Sequence, residues 1–208
     1  MSHRVAATIA LAAVGATLLT SCTGKNPTSG TAEPAPASSS SAELPNSGAP
    51  KVDNPLPAKV LDGSPCDSAL NSEQLTGFLG NVSDPKPKDT SLGPTCDWHS
   101  TSGNAAGILV GYETKTQEGI SLTYKNEKPK ASRWVDDFDP VQGYPAVGYV
   151  DVGTTDNRTC VVVVGVADDL SFSVSLSLGD SAVRQGKDAC QLGRGVADTV
   201  MTNIKARA

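Results

Sequence analysis

Histidine is nearly absent from this sequence, and its scarcity limits the chemistry that the chain can perform. Only His3 and His99 occur among 208 residues, so a metal site built from several histidines is excluded. A Ser-His-Asp triad would have to use His99, with Asp97 as the acid and a serine such as Ser100 as the nucleophile. Neighbours on a strand point to opposite faces, so Asp97 and His99 share a face that Ser100 does not. We therefore expect a solvent-facing histidine.

Positive charge is also scarce. The chain has 17 Lys and Arg against 22 Asp and Glu, a formal net charge of −5. Without a basic surface to neutralise phosphates, we expect no nucleic-acid partner.

The short motifs of metal and cofactor sites are missing as well. No cysteines stand at C-x-x-C spacing and no carboxylates at D-x-D-x-D spacing, so no metal is predicted. The glycines at 193 and 195 fall in a predicted helix and not after a strand, so no dinucleotide cofactor is predicted either.

The sequence has one long apolar run, Val5–Leu19, which is too short for a permanent membrane span of about 20 residues. It follows Arg4 and ends in Leu19-Thr20-Ser21-Cys22. A basic start, an apolar core and small residues are typical of a signal peptide, here residues 1–21. The last four residues resemble the lipobox of bacterial lipoproteins. We expect a lipid on Cys22, which would hold the protein at the extracytoplasmic face of the cell membrane.

Residues 22–61 are predicted to be the lipidated N-terminus and a disordered tether. This stretch is rich in Pro, Ser and Ala and has no helical or alternating apolar pattern, so it offers little apolar surface to offset its ordering entropy. Residues 62–208 are predicted to form a single α+β domain.

Within that domain, the clearest patterns are a hairpin and a helix. A β-branched run at 160–166 precedes a stretch, 170–178, in which apolar residues alternate with serines. Apolar residues recur at three- and four-residue steps after Asp188, which indicates a C-terminal helix. A shorter helix is expected near 72–79, and a helix with poorer periodicity is expected at 118–128. The stretch 82–94, which is rich in Pro and Lys, is predicted to be a loop. Further strands are expected at 95–100, 106–112, 138–141 and 148–152. The predicted fold is an antiparallel sheet of about five or six strands, with the C-terminal helix and the shorter N-terminal helix packed on one face.

Four cysteines remain after Cys22 is assigned to lipidation: Cys66, Cys96, Cys160 and Cys190. An even set on an exported chain indicates disulfides, with three possible connectivities. We favour Cys66–Cys96 and Cys160–Cys190, because each of these pairings would tie a helix end to a strand.

The order of several short motifs resembles a known family. After the lipobox and the Pro/Ser-rich stretch come Pro65-Cys66-Asp67, then Cys96-Asp97-Trp98, then Gly143-Tyr144-Pro145-Ala146-Val147. A hairpin led by a cysteine and a cysteine in the last helix follow. This order is similar to that of the actinobacterial lipoproteins grouped as domain of unknown function 3558. The resemblance implies a cell-envelope lipoprotein with two disulfides, and it implies no activity.

We therefore expect a non-enzymatic envelope lipoprotein that binds an unidentified envelope ligand or protein. A groove between the sheet and residues 128–147 is predicted, with Trp134, Phe138 and Tyr144 as possible ligand contacts. One alternative is an envelope hydrolase acting on a wall polymer or ester through Asp136, Asp137 or His99. Another alternative is a structural or accessory lipoprotein.

Overall fold

The computed structural model describes residues 43–154 and 157–208. The predicted signal peptide, the lipidation site Cys22 and the first part of the predicted tether lie outside the described residues. Within those residues, no helix combines the length and the apolar character that crossing a bilayer requires.

The domain is built on one antiparallel sheet. Its strands are Lys86–Asp89 (β1), Pro94–His99 (β2), Gly107–Glu113 (β3), Arg133–Val135 (β4), Ala146–Val150 (β5), Thr159–Ala167 (β6) and Leu170–Ser177 (β7). They lie in the order β1-β2-β3-β7-β6-β5-β4. The predicted α+β class is confirmed, but the described part of the sheet has seven strands where five or six were expected.

The helices are Pro65–Ser68 (α1), Ser72–Leu79 (α2), Ile120–Asn126 (α3), Asp180–Arg184 (α4) and Ala189–Lys205 (α5), with a 3₁₀ turn at Ala58–Leu61. Helix α2 begins with a capping box. The Asn71 side chain accepts from the Gln74 backbone, and the Gln74 side chain accepts from the Asn71 backbone. Helix α5 begins at Asp188, whose carboxylate accepts from two backbone N–H groups. Both helix starts agree with the sequence, because capping is a local interaction.

The strands that the sequence did not indicate lie at the two edges of the sheet. Strand β1 is exposed along its whole length, so it has no apolar alternation to reveal it, and the loop predicted for 82–94 is wrong there. Its lysines and Pro87 protect the edge from pairing with another chain. Strand β4 is only three residues long. The strand predicted at 138–141 does not form, and only Val141 makes an isolated bridge, to Tyr144.

The main core lies between one face of the sheet and α5. Its largest fully buried side chains include Trp98, Ile108, Tyr112, Phe172, Met201 and Ile204. Cys160 on β6 is bonded to Cys190 in the first turn of α5. Cys66 in α1 is bonded to Cys96 on β2. Both favoured pairings are thus present, and each ties a helix to the sheet.

A second, smaller cluster lies on the opposite face of the sheet. Here Ile120 and Tyr124 of α3 cover Val147 and Val163. Nearby, the buried carboxylate of Glu113 accepts a hydrogen bond of 2.6 Å from the Ser171 hydroxyl. The serine-bearing face of the hairpin is therefore partly covered by protein, although its sequence pattern indicates exposure to water.

Residues 43–61 belong to the folded domain, which corrects the predicted end of the tether. Val52 is 3% exposed, and Val60 and Leu61 are fully buried. The Val52 N–H donates to the Asp168 carboxylate, and the Leu56 N–H donates to the Val166 carbonyl. These few apolar residues stand at irregular intervals in an extended Pro-rich segment. They have no helical or strand period, so only the tertiary structure shows where they are buried.

Candidate functional site

The three aromatic residues predicted to line a groove lie on two different faces of the sheet. Trp134 is opposite Tyr149 on the neighbouring strand, and both pack against the second cluster. Phe138 and Tyr144 pack against the main core on the other face. The predicted groove is therefore wrong, because these side chains are not brought together.

Trp134 is held within a small aromatic group. Its ring meets Tyr124 edge-on at 5.1 Å and stacks on Tyr149 at 6.5 Å between centroids. Its indole N–H donates to the Asp136 carboxylate at 3.0 Å, and the Lys128 ammonium lies 5.2 Å from its ring centroid. The indole N–H and Lys128 lower the pKa of Asp136, so this carboxylate is a charged partner of Trp134.

Phe138 and Tyr144 anchor the loop that precedes β5. Atoms of the Phe138 ring lie within 3 Å of the position that a Cβ on Gly148 would take, so only glycine fits beneath the ring. Tyr144 is 7% exposed, and the Lys205 ammonium lies 5.8 Å from its ring centroid. Both residues contribute to packing in this loop.

The residues considered for hydrolysis are separated from one another. The His99 Nε2 atom lies 2.9 Å from the Asp97 carboxylate, and Asp97 is the only hydrogen-bond partner of the ring among the described residues. Asp136 lies beside Lys128 and Trp134, and Asp137 is exposed. In the part of the chain that the structure describes, no group of three or more His, Cys, Asp or Glu residues could hold a metal ion.

A groove of about 340 Å³ lies between α2 and α5, and it is the strongest candidate for a functional site. Its floor is formed by buried residues of α2, β7 and α5. Phe78 and Leu192 stand at its margins and are 42% and 45% exposed. The lining residues are Gly77, Phe78, Leu79, Ala106, Leu176, Ser177, Leu178, Gly179, Ala182, Gln191, Leu192, Gly195 and Val196. None of them carries a formal charge.

Among the described residues, the hydrogen bonds between the side chains of α2 and α5 lie at one end of the helix pair, and the groove lies at the other. The Gln74 and Asn203 side-chain amides exchange hydrogen bonds of 3.2 and 2.8 Å, and Asn203 also donates to the Ala69 carbonyl. Nearer the start of α5, residues of α2 and α5 instead border the groove. The amide pair thus fixes the position of α2 on α5 while leaving the apolar side chains beyond it apart.

Two helical glycines keep the groove open. A Cβ added at Gly77 or at Gly195 would meet no atom within 4 Å. A close neighbour is therefore not the reason that glycine stands at either position. Gly193 differs, since a Cβ there would lie 3.2 Å from the Val162 side chain. Glycine within a helix costs about 1 kcal/mol relative to alanine. At Gly77 and Gly195 this cost has no compensation in the packing of the domain.

Two larger cavities lack this combination of features. One, of about 840 Å³, is lined by Glu43 to Ser47, where the described part of the chain begins, and by residues 116–118. The other, of about 630 Å³, is lined mainly by polar residues at the ends of α1 and α2 and in the loop 80–85. Neither combines a mainly apolar, uncharged lining with unexplained glycines.

Comparison with known proteins identifies the family. The sequence profile of the family described as "Protein of unknown function (DUF3558)" matches residues 17–203. The chain belongs to DUF3558. This match confirms the resemblance at the level of the family. No curated protein and no solved structure matches the chain.

Because DUF3558 has no assigned function, the function of this member has to be inferred from the groove. Sequence periodicity places Phe78 and Leu192 on the apolar stripes of their helices, and both are indeed at the edges of those stripes. What periodicity misses is that α2 and α5 leave a groove between them there. The helical glycines are the one local signal that could have indicated this opening. Gly193 lets α5 approach the sheet closely, because a Cβ there would meet Val162, whereas Gly195 has no such neighbour.

Proposed function

We propose that this DUF3558 protein is a non-enzymatic lipoprotein of the cell envelope that binds an apolar ligand in the α2–α5 groove. A lipid on Cys22 would hold the domain outside the cytoplasmic membrane. The groove, with its two exposed apolar margins and its unexplained glycines, is the observation that carries the proposal.

Two features support the proposed location. The segment Leu19-Thr20-Ser21-Cys22 has the order of a lipobox after a signal-like apolar run. In addition, the domain has two disulfides, each joining a helix to the sheet. Disulfides persist in oxidising compartments outside the cytoplasm. Both features favour export.

The exposed apolar area supports binding. Complete burial of a large apolar side chain contributes roughly 1.5–3 kcal/mol. Phe78 and Leu192 retain 42% and 45% of their exposure, so a ligand that covered both would gain on the order of 2 kcal/mol from them alone. This gain requires no rearrangement of the domain, because the groove is already open.

The binding site can be tested with an uncharged dye whose fluorescence rises in apolar surroundings. Titration of the dye into the Cys22→Ala chain, which keeps every described residue, should show saturable binding. Gly195→Leu should abolish the binding, because its side chain would occupy the groove. Thr76→Leu adds a leucine to an exposed position of α2 outside the groove and should bind as the parent does. Equal binding by Gly195→Leu would refute the site.

The anchor can be tested separately by detergent-phase partitioning. The unaltered protein should enter the detergent phase, and Cys22→Ala should remain in the aqueous phase, because acyl chains on Cys22 supply about 0.8 kcal/mol per buried methylene. If both proteins partition alike, the lipobox interpretation is wrong.

A further inference from the structure

We propose that the groove holds the hydrocarbon chain of a single-chain anionic amphiphile, with its head group held by Arg184 and Lys187. This inference rests on the proposed binding function and names the class of ligand. Three observations carry it: the uncharged lining of the groove, its size, and the unneutralised positive charge beside one of its walls.

The size of the groove favours a chain over a helix of a partner protein. Two turns of a helix about 10 Å wide occupy roughly 850 Å³, whereas the groove measures about 340 Å³. A helical partner would lie mostly outside it. An unbranched hydrocarbon chain is narrower than a helix, and within the groove it would contact the apolar lining, including Phe78 and Leu192.

The basic residues directly follow the wall of the groove. Ala182 of α4 lines the groove, and its carbonyl accepts a hydrogen bond of 3.0 Å from the Lys187 backbone. This bond closes the turn after α4, and Arg184 and Lys187 lie in the short segment between two lining residues, Ala182 and Gln191. Arg184 and Lys187 are both exposed and, within the described residues, neither forms an ion pair.

The acidic residues on either side of this segment are already neutralised. Asp180 pairs with Arg158 at 2.9 Å, and Asp188 pairs with Arg133 at 2.6 Å. The charges of Arg184 and Lys187 are therefore left to attract an anion from solution. An apolar groove beside a positive segment matches a ligand with an apolar chain and an anionic head.

The test measures displacement of the uncharged dye from the Cys22→Ala chain by medium-chain saturated carboxylates and by 1-alkanols of the same lengths, all below their aggregation concentrations. Each methylene that enters the groove should tighten binding about fourfold, which corresponds to about 0.8 kcal/mol. At equal length the carboxylate should bind about threefold to tenfold more tightly than the alcohol, as expected for two exposed ionic contacts.

Variants separate the chain from the head group. The double substitution R184E/K187E should remove the preference for carboxylates and leave the affinity for alcohols unchanged. Lys51→Glu is the control, because it also reverses the charge of an exposed lysine. Lys51 lies in the segment 43–52, which contacts α3 and the turn after β6. This variant should bind both carboxylates and alcohols as the parent does. G195L should weaken carboxylates and alcohols together.

Each part of the proposal has its own refutation. If the dye binds but no chain displaces it, the amphiphile is wrong while the groove remains a binding site. If alcohols and carboxylates bind alike, or if R184E/K187E keeps the preference, the head-group assignment is overturned. If the unsubstituted groove binds no dye, the proposed function fails as well.

Discussion

Replacement of Gly195 by alanine should stabilise the protein, although glycine stands there in the native sequence. Gly195 lies inside α5 with an ordinary helical backbone, and a Cβ added to it would meet nothing within 4 Å. Alanine is favoured over glycine in a helix by about 1 kcal/mol. With no new contact to oppose it, most of this gain should appear in the free energy of unfolding.

Gly193→Ala, two residues earlier in the same helix, is the matched control. Its Cβ would lie 3.2 Å from the buried Val162 side chain and 3.6 Å from Leu176. The propensity gain is the same, but Val162 is fully buried and has to move to make room. We expect Gly193→Ala to be neutral or destabilising.

Thermal and urea denaturation of both variants in the Cys22→Ala chain measure the difference. A gain of 1 kcal/mol should raise the Tm by about 2–4 °C in a domain of this size. The Gly195→Ala variant should also bind the dye less tightly than the parent, because its methyl group projects into the groove. A loss of stability in Gly195→Ala would show that the groove is not open in solution, whereas an equal gain in Gly193→Ala would show that Val162 yields without cost.

Three further predictions follow from other parts of the fold. Burial raises the pKa of Glu113 in the native state despite the hydrogen bond from Ser171. The contribution of this group to the free energy of unfolding is therefore full below the pKa of Glu113 in the unfolded chain and is lost as pH rises through its pKa in the folded protein. At neutral pH the Glu113→Gln variant should therefore be more stable than the parent, and urea denaturation at a series of pH values measures the difference. Replacing both Cys160 and Cys190 by serine should lower the free energy of unfolding, measured by urea denaturation, by roughly 2–5 kcal/mol. Peptide mapping of the unsubstituted protein without reduction should recover the peptide that contains the Cys160–Cys190 disulfide. Asn71→Ala should cost about 1 kcal/mol by removing the cap of α2, whereas Ser72→Ala, which keeps the cap, should cost less; equal losses would argue against the capping box.

The predictions from sequence that succeeded concern interactions between residues close together in the chain. The hairpin of β6 and β7 was visible because its apolar residues alternate, and α5 was visible because its apolar residues form one stripe after the cap at Asp188. The favoured disulfide pairing is also present, although Cys66 lies in α1, a short helix before the predicted one, and not in α2.

The predictions that failed depend on which surfaces meet. Trp134, Phe138 and Tyr144 are close in sequence, yet β4 and the loop after it place Trp134 on one face of the sheet and the other two on the opposite face. Strand β4 ends at Val135, and Phe138 and Tyr144 lie in the loop before β5, so strand alternation does not relate their direction to that of Trp134.

The sequence by itself determined the α+β class, the capped helices and the central hairpin, because each is encoded in local spacing, and it favoured one of three cysteine pairings. Only the tertiary structure decided that residues 43–61 pack on the domain and that β1 completes the sheet. It alone also placed the groove, which lies between two helices that Gln74 and Asn203, 129 residues apart, join by hydrogen bonds. A groove between two helices is a property of their packing, and no periodicity within either helix records it.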